Sequence, residues 1–270
     1  MKIFPDTMMW RHLAKDDSLF NKMKGLVVVP TYYAIVELSR TPSLKKVGEA
    51  PEVQTALKRM MYFRDHLEVG TSIHHLLRLS GKDISHLIPV HQNNPLLELT
   101  QTIVDSEIDL SDEEISAQFD VIRNKGREPY AAMADALNSI VDKTDPIERR
   151  NKYQNGPKLK EAKEMLAYMF ENKRGNPNYH IDDLDFDQAE LWFKTFAQFW
   201  RHLNLDSRRR VEANDMIDLL ALAYVQPGTK FWTDERQWID FITLAGCESY
   251  LFHPSQIEQQ FEYLNLTHVV

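Results

Sequence analysis

Lys2-Ile3-Phe4-Pro5-Asp6-Thr7 reads as a short strand stopped by a proline and an acid, with an amphipathic helix expected from there to about Met23. Leu26-Val27-Val28-Val29 is a β-branched run bounded by Gly25 and Pro30, the pattern of a buried parallel strand, and Thr31 to Leu38 reads as the helix that follows it. Residues 1–40 thus hold two βα units. The alternation returns late in the chain. An almost wholly apolar helix, Met216 to Val225, leads through a turn at Pro227-Gly228 to a strand at Lys230-Phe231-Trp232. Acids and another helix come next, then a last strand around Tyr250-Leu251-Phe252, after Gly246. Parallel strands need helical crossovers, and neither end has enough strands for a stable sheet alone. The two ends are therefore expected to share one sheet.

Between them the pattern is helical, with segments such as Pro51 to Leu67, Leu96 to Val104 and Tyr130 to Val141 broken by Pro and Gly. Ser111-Asp112-Glu113-Glu114 has capping-box spacing, and Asp187 precedes a helical run whose Trp192, Phe193, Phe196, Phe199 and Trp200 read as packing core. The expected organisation is an α/β unit built from residues 1–40 and 208–270, with a helical insertion over 41–207. No repeat or low-complexity tract interrupts it.

The chain has 270 residues, 43% of them hydrophobic, and 32 basic against 40 acidic residues for a net charge of -8. Such a balance does not advertise affinity for a polyanion, so a nucleic acid would have to meet a local basic patch or a bound metal. Cys247 is the only cysteine, which excludes an internal disulfide and any Cys-rich zinc site. No stretch approaches the roughly 18 apolar residues of a membrane span, and Met1 to Trp10 has no long apolar run. A cytosolic location and no membrane partner are expected.

Acids stand where strands end or helices begin: Asp6, Glu37, Asp215 with Asp218, and Asp234 with Glu235. Sites in open parallel sheets form beyond the carboxyl ends of the strands, so these acids can converge although they are far apart in sequence. Converging carboxylates repel one another unless a cation binds them. Hard divalent ions such as Mg²⁺ take carboxylate and water oxygens and can serve phosphodiester hydrolysis.

At these residues the chain resembles the PIN-domain family of metal-dependent nucleases. Lys2 to Thr7 looks like its first motif, a strand running into Asp-Thr, and Val28-Val29-Pro30 with Glu37-Leu38 looks like its second. Asn214 to Ala223 is similar to its acid-bearing helix, Phe231-Trp232-Thr233-Asp234-Glu235 to its strand followed by Thr and acids, and Gly246 to Pro254 to its final strand. The family often has Asn where Met8 stands, and its usual Thr-x-Asp is Thr233-Asp234-Glu235 here, leaving either acid as the ligand. The resemblance implies a PIN-like parallel sheet flanked by helices, Mg²⁺ or Mn²⁺ as cofactor, and cleavage of RNA in preference to DNA. It makes Asp6, Glu37, Asp218 and Asp234 or Glu235 the catalytic metal-site residues, with Thr7 and Thr233 as supporting hydroxyls; helical spacing sets Asp215 on one face with Asp218, as a further candidate metal ligand. The alternatives are a flap-type DNA nuclease and a PIN-like scaffold without catalysis. A toxin role would require an inhibitory protein partner, and the insertion is available as a lid or as a homo-oligomer interface.

Each residue also has a plainer reading. Asp6 or Asp215 can cap a helix, and Glu37 can pair with Arg40. Arg208, Arg209 and Arg210, after Ser207, can grip substrate phosphates or form a solvated charge run, as can Arg149, Arg150, Lys152, Lys158, Lys160 and Lys163. His74, His75, His86 and His91 match no ligand spacing, and Cys247 reads as a buried structural thiol.

Overall fold

Three short strands, β1 (Lys2–Pro5), β2 (Val27–Val28) and β3 (Lys230–Trp232), pair in parallel in the order β2-β1-β3 in the computed structural model of the chain. Its described residues are 1–39, 43, 46, 48–68, 70–83, 100, 101, 103–105, 113–171, 180–206 and 208–256. The register sets Ile3 beside Val28 and Phe4 beside Phe231. Pro5 is tolerated because it is the last residue of β1, and the next N–H, of Asp6, continues the ladder to the Trp232 carbonyl at 2.9 Å. The expected strand around Tyr250 is reduced. Glu248–Tyr250 is a 3₁₀ turn, and only Leu251 bridges to Phe231, with the Phe252 N–H on the Phe231 carbonyl at 2.8 Å. A matching bridge, Thr31 to Glu68, edges the other side.

Side chains alternate across a strand, and here the alternation feeds two cores. Ile3, Val28, Trp232 and Phe252 enter one, beneath the helices α1 (Thr7–Lys15), α3 (Tyr32–Ser39) and α4 (Ala50–Tyr62). Phe4, Val29, Phe231 and Leu251 enter the other, which also takes in the insertion helices α6 (Glu113–Lys143), α7 (Pro146–Tyr153), α8 (Leu159–Glu171) and α9 (Glu190–Leu205). Residues of the expected insertion and of both chain ends thus share one core. The aromatic run occupies α9, where Trp192, Phe196, Phe199 and Trp200 are buried and Phe193 is partly so.

The helix expected through Met23 is two helices. Asp16 takes an extended backbone and accepts the Leu19 N–H at 2.9 Å, which ends α1 and caps α2 (Asp17–Met23). The segment read as Pro51 to Leu67 likewise stops at Tyr62, before a 3₁₀ turn at Arg64–His66, and α5 (Ser72–Leu79) follows. The late apolar helix is α10 (Ala213–Ala221), starting earlier than expected and tightening to 3₁₀ over Leu222–Tyr224. At the predicted turn, Gly228 has φ 82, the left-handed position after Pro227, and the Thr229 N–H closes on the Gln226 carbonyl at 3.0 Å. β3 leads to α11 (Arg236–Leu244). Among the described residues no helix is long and apolar enough to cross a membrane. Arg40, His86, His91, Ser111, Asp112, Ser207 and most of the segment from Leu96 to Val104 lie outside the described residues.

Ile3 is fully buried on the central strand. Ile3→Ala is expected to cost about 2–5 kcal/mol, the range for truncating a well-packed core aliphatic, read from the urea midpoint at unchanged slope.

Candidate active site

Four acids from four separate elements line one cleft beyond the carboxyl edge of the sheet. Asp6 follows β1, Glu37 lies on α3, Asp218 on α10, and Glu235 between β3 and α11. Thr7, Tyr33, Phe231 and Trp238 complete its principal walls. Asp6 and Asp218 are half-buried, whereas Glu37 and Glu235 reach water at the mouth. The helical phase explains Glu37: Ile35 and Leu38 face the core beneath the sheet while Glu37 turns away from it into the cleft, crowded by protein yet open to solvent. Arg40, its proposed partner, is outside the described residues.

Neutral donors hold the carboxylates in place. Thr7 donates its hydroxyl to Glu37 Oε2, and Trp238 Nε1 donates to Asp218 Oδ2 at 3.2 Å. Asp6 does cap α1, its Oδ1 accepting the Met9 N–H at 2.7 Å. Thr233 serves two acids: its hydroxyl oxygen accepts the Glu235 N–H at 3.0 Å, and it hydrogen-bonds to the Asp6 carboxyl. None of the four acids has an ion-pair partner within 4.0 Å among the described residues.

The electrostatic result is a set of carboxyls that resist ionisation. Burial, helped by the charges of Glu235 and Asp234, pushes Asp6 up to about 7 against the hydrogen bonds from Thr233 and Met9. Asp218 is raised well above the ordinary carboxylate range by burial, then by Glu235, Glu37 and Asp6. Glu37 is raised by burial, opposed by the Thr7 hydrogen bond and the Arg127 charge. Glu235 is raised by burial and by Glu37, Asp234 and Asp215.

The adjacent acids after β3 separate because successive residues of extended chain face opposite ways. Glu235 turns into the cleft, while Asp234 turns out to an exposed pair with His12 at 3.0 Å. Asp215 also stands outside the cleft lining. It is the fourth-position partner of a capping box rather than an N-cap, taking the Glu212 N–H at 2.9 Å, with Arg209 and Gln237 on its other oxygen at 3.3 Å each.

The three arginines do not converge on the cleft. Arg209 is held by Asp215 over the rings of Phe199 and Phe241, Arg210 pairs with Asp142 at 2.6 Å, and Arg208 is almost fully exposed with Asp206 at 3.9 Å. In the second basic cluster Arg149 is buried, while Lys152, Lys160 and Lys163 pair with Glu161, Glu164 and Asp182. The cation that acts on Glu37 is Arg127, on α6, a residue that sequence reasoning missed. Its Nη2 donates to Asn214 Oδ1 at 2.7 Å, across 87 positions of chain that leave no local signal. His74 closes a capping box with Thr71, and burial lowers His75 to about 4. Cys247 is buried with its thiol pushed up to about 11, as suits a structural residue.

Among the described residues no three His, Cys, Asp or Glu side chains stand in direct chelating geometry. Mg²⁺ commonly keeps several waters and uses one or two protein carboxylates, so an all-protein cage is not required. The hard oxygen donors, their shared cleft and the lack of ion-pair partners among the described residues fit a hydrated divalent ion. No family model matches this chain, and no curated protein or solved structure is significantly similar to it.

Between its ordinary value of 3.8 and about 7, Asp6 keeps in the folded chain a proton that the unfolded chain has released. Stability therefore falls as pH rises through that window and stays lower above it. Asp6→Asn retains a cap acceptor and removes the charge. In EDTA it is expected to raise the Tm by several degrees at pH 8 and to change it little near pH 4, by scanning calorimetry; at this chain length about 2–4 °C corresponds to 1 kcal/mol.

Proposed function

We propose that the chain is a PIN-domain-like nuclease that uses Mg²⁺ or Mn²⁺ to hydrolyse phosphodiester bonds, with RNA preferred to DNA. The observation that carries this reading is the meeting of Asp6, Glu37, Asp218 and Glu235 in one cleft, each from a different element and none with an ion-pair partner within 4.0 Å among the described residues. A fold does not gather several acids without ion pairs for stability, since each carries a desolvation cost that its neighbours' charges increase. A cation arriving with substrate offsets that cost. The motif resemblance names Asp6, Glu37 and Asp218 and leaves the fourth position to Asp234 or Glu235, of which Glu235 is favoured by its place in the cleft.

These four carboxylates would hold the ion. When bound, a divalent cation supplies Lewis acidity, polarising a phosphodiester oxygen and lowering the pKa of water. The protein's own contribution is positioning. Thr7 fixes the rotation of Glu37, Trp238 that of Asp218, and Thr233 couples Asp6 to the backbone of Glu235. The apolar floor of Tyr33, Ile217 and Phe231 lowers the local dielectric, which strengthens the pull of the acids on a cation. Hydrolysis proceeds by water attack in this reading, without a covalent enzyme intermediate.

Labelled single-stranded RNA and DNA incubated with the purified protein and Mg²⁺, Mn²⁺ or EDTA test the reading directly. Cleavage is expected with either metal and not in EDTA. Asp6→Asn and Asp218→Asn are expected to lower it on the order of 10²–10³-fold, the scale for losing one charge-stabilising group. Metal-independent products, or variants as active as the wild type, would overturn catalysis at this cleft; no cleavage and no calorimetric Mn²⁺ binding would leave a scaffold.

A further inference from the structure

We infer that Arg127 is the phosphate-gripping residue of this cleft, and that α6 forms a wall of the track along which a nucleic acid strand lies. The inference rests on the nuclease reading and extends it to the way an acidic protein holds a polyanion. Two contacts three residues apart on one face of α6 set the geometry. Tyr130 donates its hydroxyl to that of Tyr33 at 2.6 Å, and Tyr33 lines the acidic cleft. One turn earlier, Arg127 reaches Asn214 in the first turn of α10, the helix that carries Asp218. These two anchors lay α6 against α3 and α10, two of the elements that supply acids to the cleft.

Arg127 differs from the other arginines considered above. Arg209 and Arg210 are held by Asp215 and Asp142. Arg127 is exposed and hydrogen-bonded to a neutral amide, with no ion pair within 4.0 Å among the described residues. An amide oxygen is readily exchanged for a phosphate oxygen, which a guanidinium can take with two parallel hydrogen bonds. The Arg127 charge is also felt by Glu37, one of the two acids of the cleft that are exposed to solvent. A cation there relieves the repulsion between an incoming phosphate and the acids. Arg127 acts on binding, and the metal-holding carboxylates remain responsible for hydrolysis.

The test compares Arg127→Gln with wild type and with Lys160→Gln, a matched charge loss at a highly exposed residue of α8. Binding of fluorescein-labelled single-stranded RNA is followed by anisotropy over a KCl series, with Ca²⁺ replacing Mg²⁺ and the strand checked for integrity. Losing one phosphate contact is expected to reduce the slope of log K against log[salt] by about 1 and to weaken binding ~5- to 20-fold near physiological salt. Lys160→Gln keeps the wild-type slope. Calorimetric Mn²⁺ binding is retained in Arg127→Gln, and cleavage shows a raised KM with kcat nearly constant, the signature of lost uniform binding. A wild-type slope and affinity in Arg127→Gln, beside metal-dependent cutting by the wild type, overturn this inference and leave the nuclease reading standing. An equal loss in Lys160→Gln overturns it as well, and a wild type that neither binds nor cuts RNA overturns both.

Discussion

β1 is the strand on which both others depend. It pairs with β2 on one side and with β3 on the other, and β3 arrives only at Lys230, after the whole helical region. The hydrogen bond from the Asp6 N–H to the Trp232 carbonyl fixes the level at which the two strands end together. Asp6 and the segment from Thr233 to Glu235 are then neighbours because of backbone register. Closing so long a loop costs entropy that local structure cannot offset. The compensation comes from the two cores, which the alternation of Ile3 with Phe4 and of Phe231 with Trp232 sets on opposite faces.

Against that stable frame stands an electrostatic conflict. The cleft gathers acids whose proton affinities are all raised, while the nearest neutral donors, Thr7, Thr233 and Trp238, are spent on orientation. Local arrangements of this kind lower stability and persist where function selects them. The same fold disposes of its other acids conventionally: Asp16 caps α2, Asp145 caps α7 and Asp215 closes a capping box. Acids are therefore not stranded here for want of local solutions.

The sequence is most legible where punctuation is strong. The β-branched run before Pro30, the Pro227-Gly228 turn and the strand ending at Trp232 each carry a local physical signal, and each is where the residues put it. So do the acids after β1 and β3, because a strand's end is visible in the same pattern. Less legible features are those decided elsewhere in the fold. The segment at Leu251 is apolar enough for a strand, yet it meets β3 only at its edge and makes one bridge. The break at Asp16 was hidden because the amphipathic pattern carries on through a capping residue.

The pairings of the arginines were the least accessible, since a run of three guanidinium groups looks alike whether it meets solvent, carboxylates or a phosphate. Arg209 and Arg210 have neighbours on α10 and α6 that no local pattern announces. Arg127 lies in an unremarkable stretch of a long helix and gains its meaning only when α6 is laid against α3 and α10. Charge density in a sequence is thus a poor guide to where free charge remains in the fold. What distinguishes a cation fit to receive a ligand is a neutral, replaceable partner and a position facing charge of the opposite sign. Arg127 meets both conditions, since its partner Asn214 is neutral and its charge acts on Glu37.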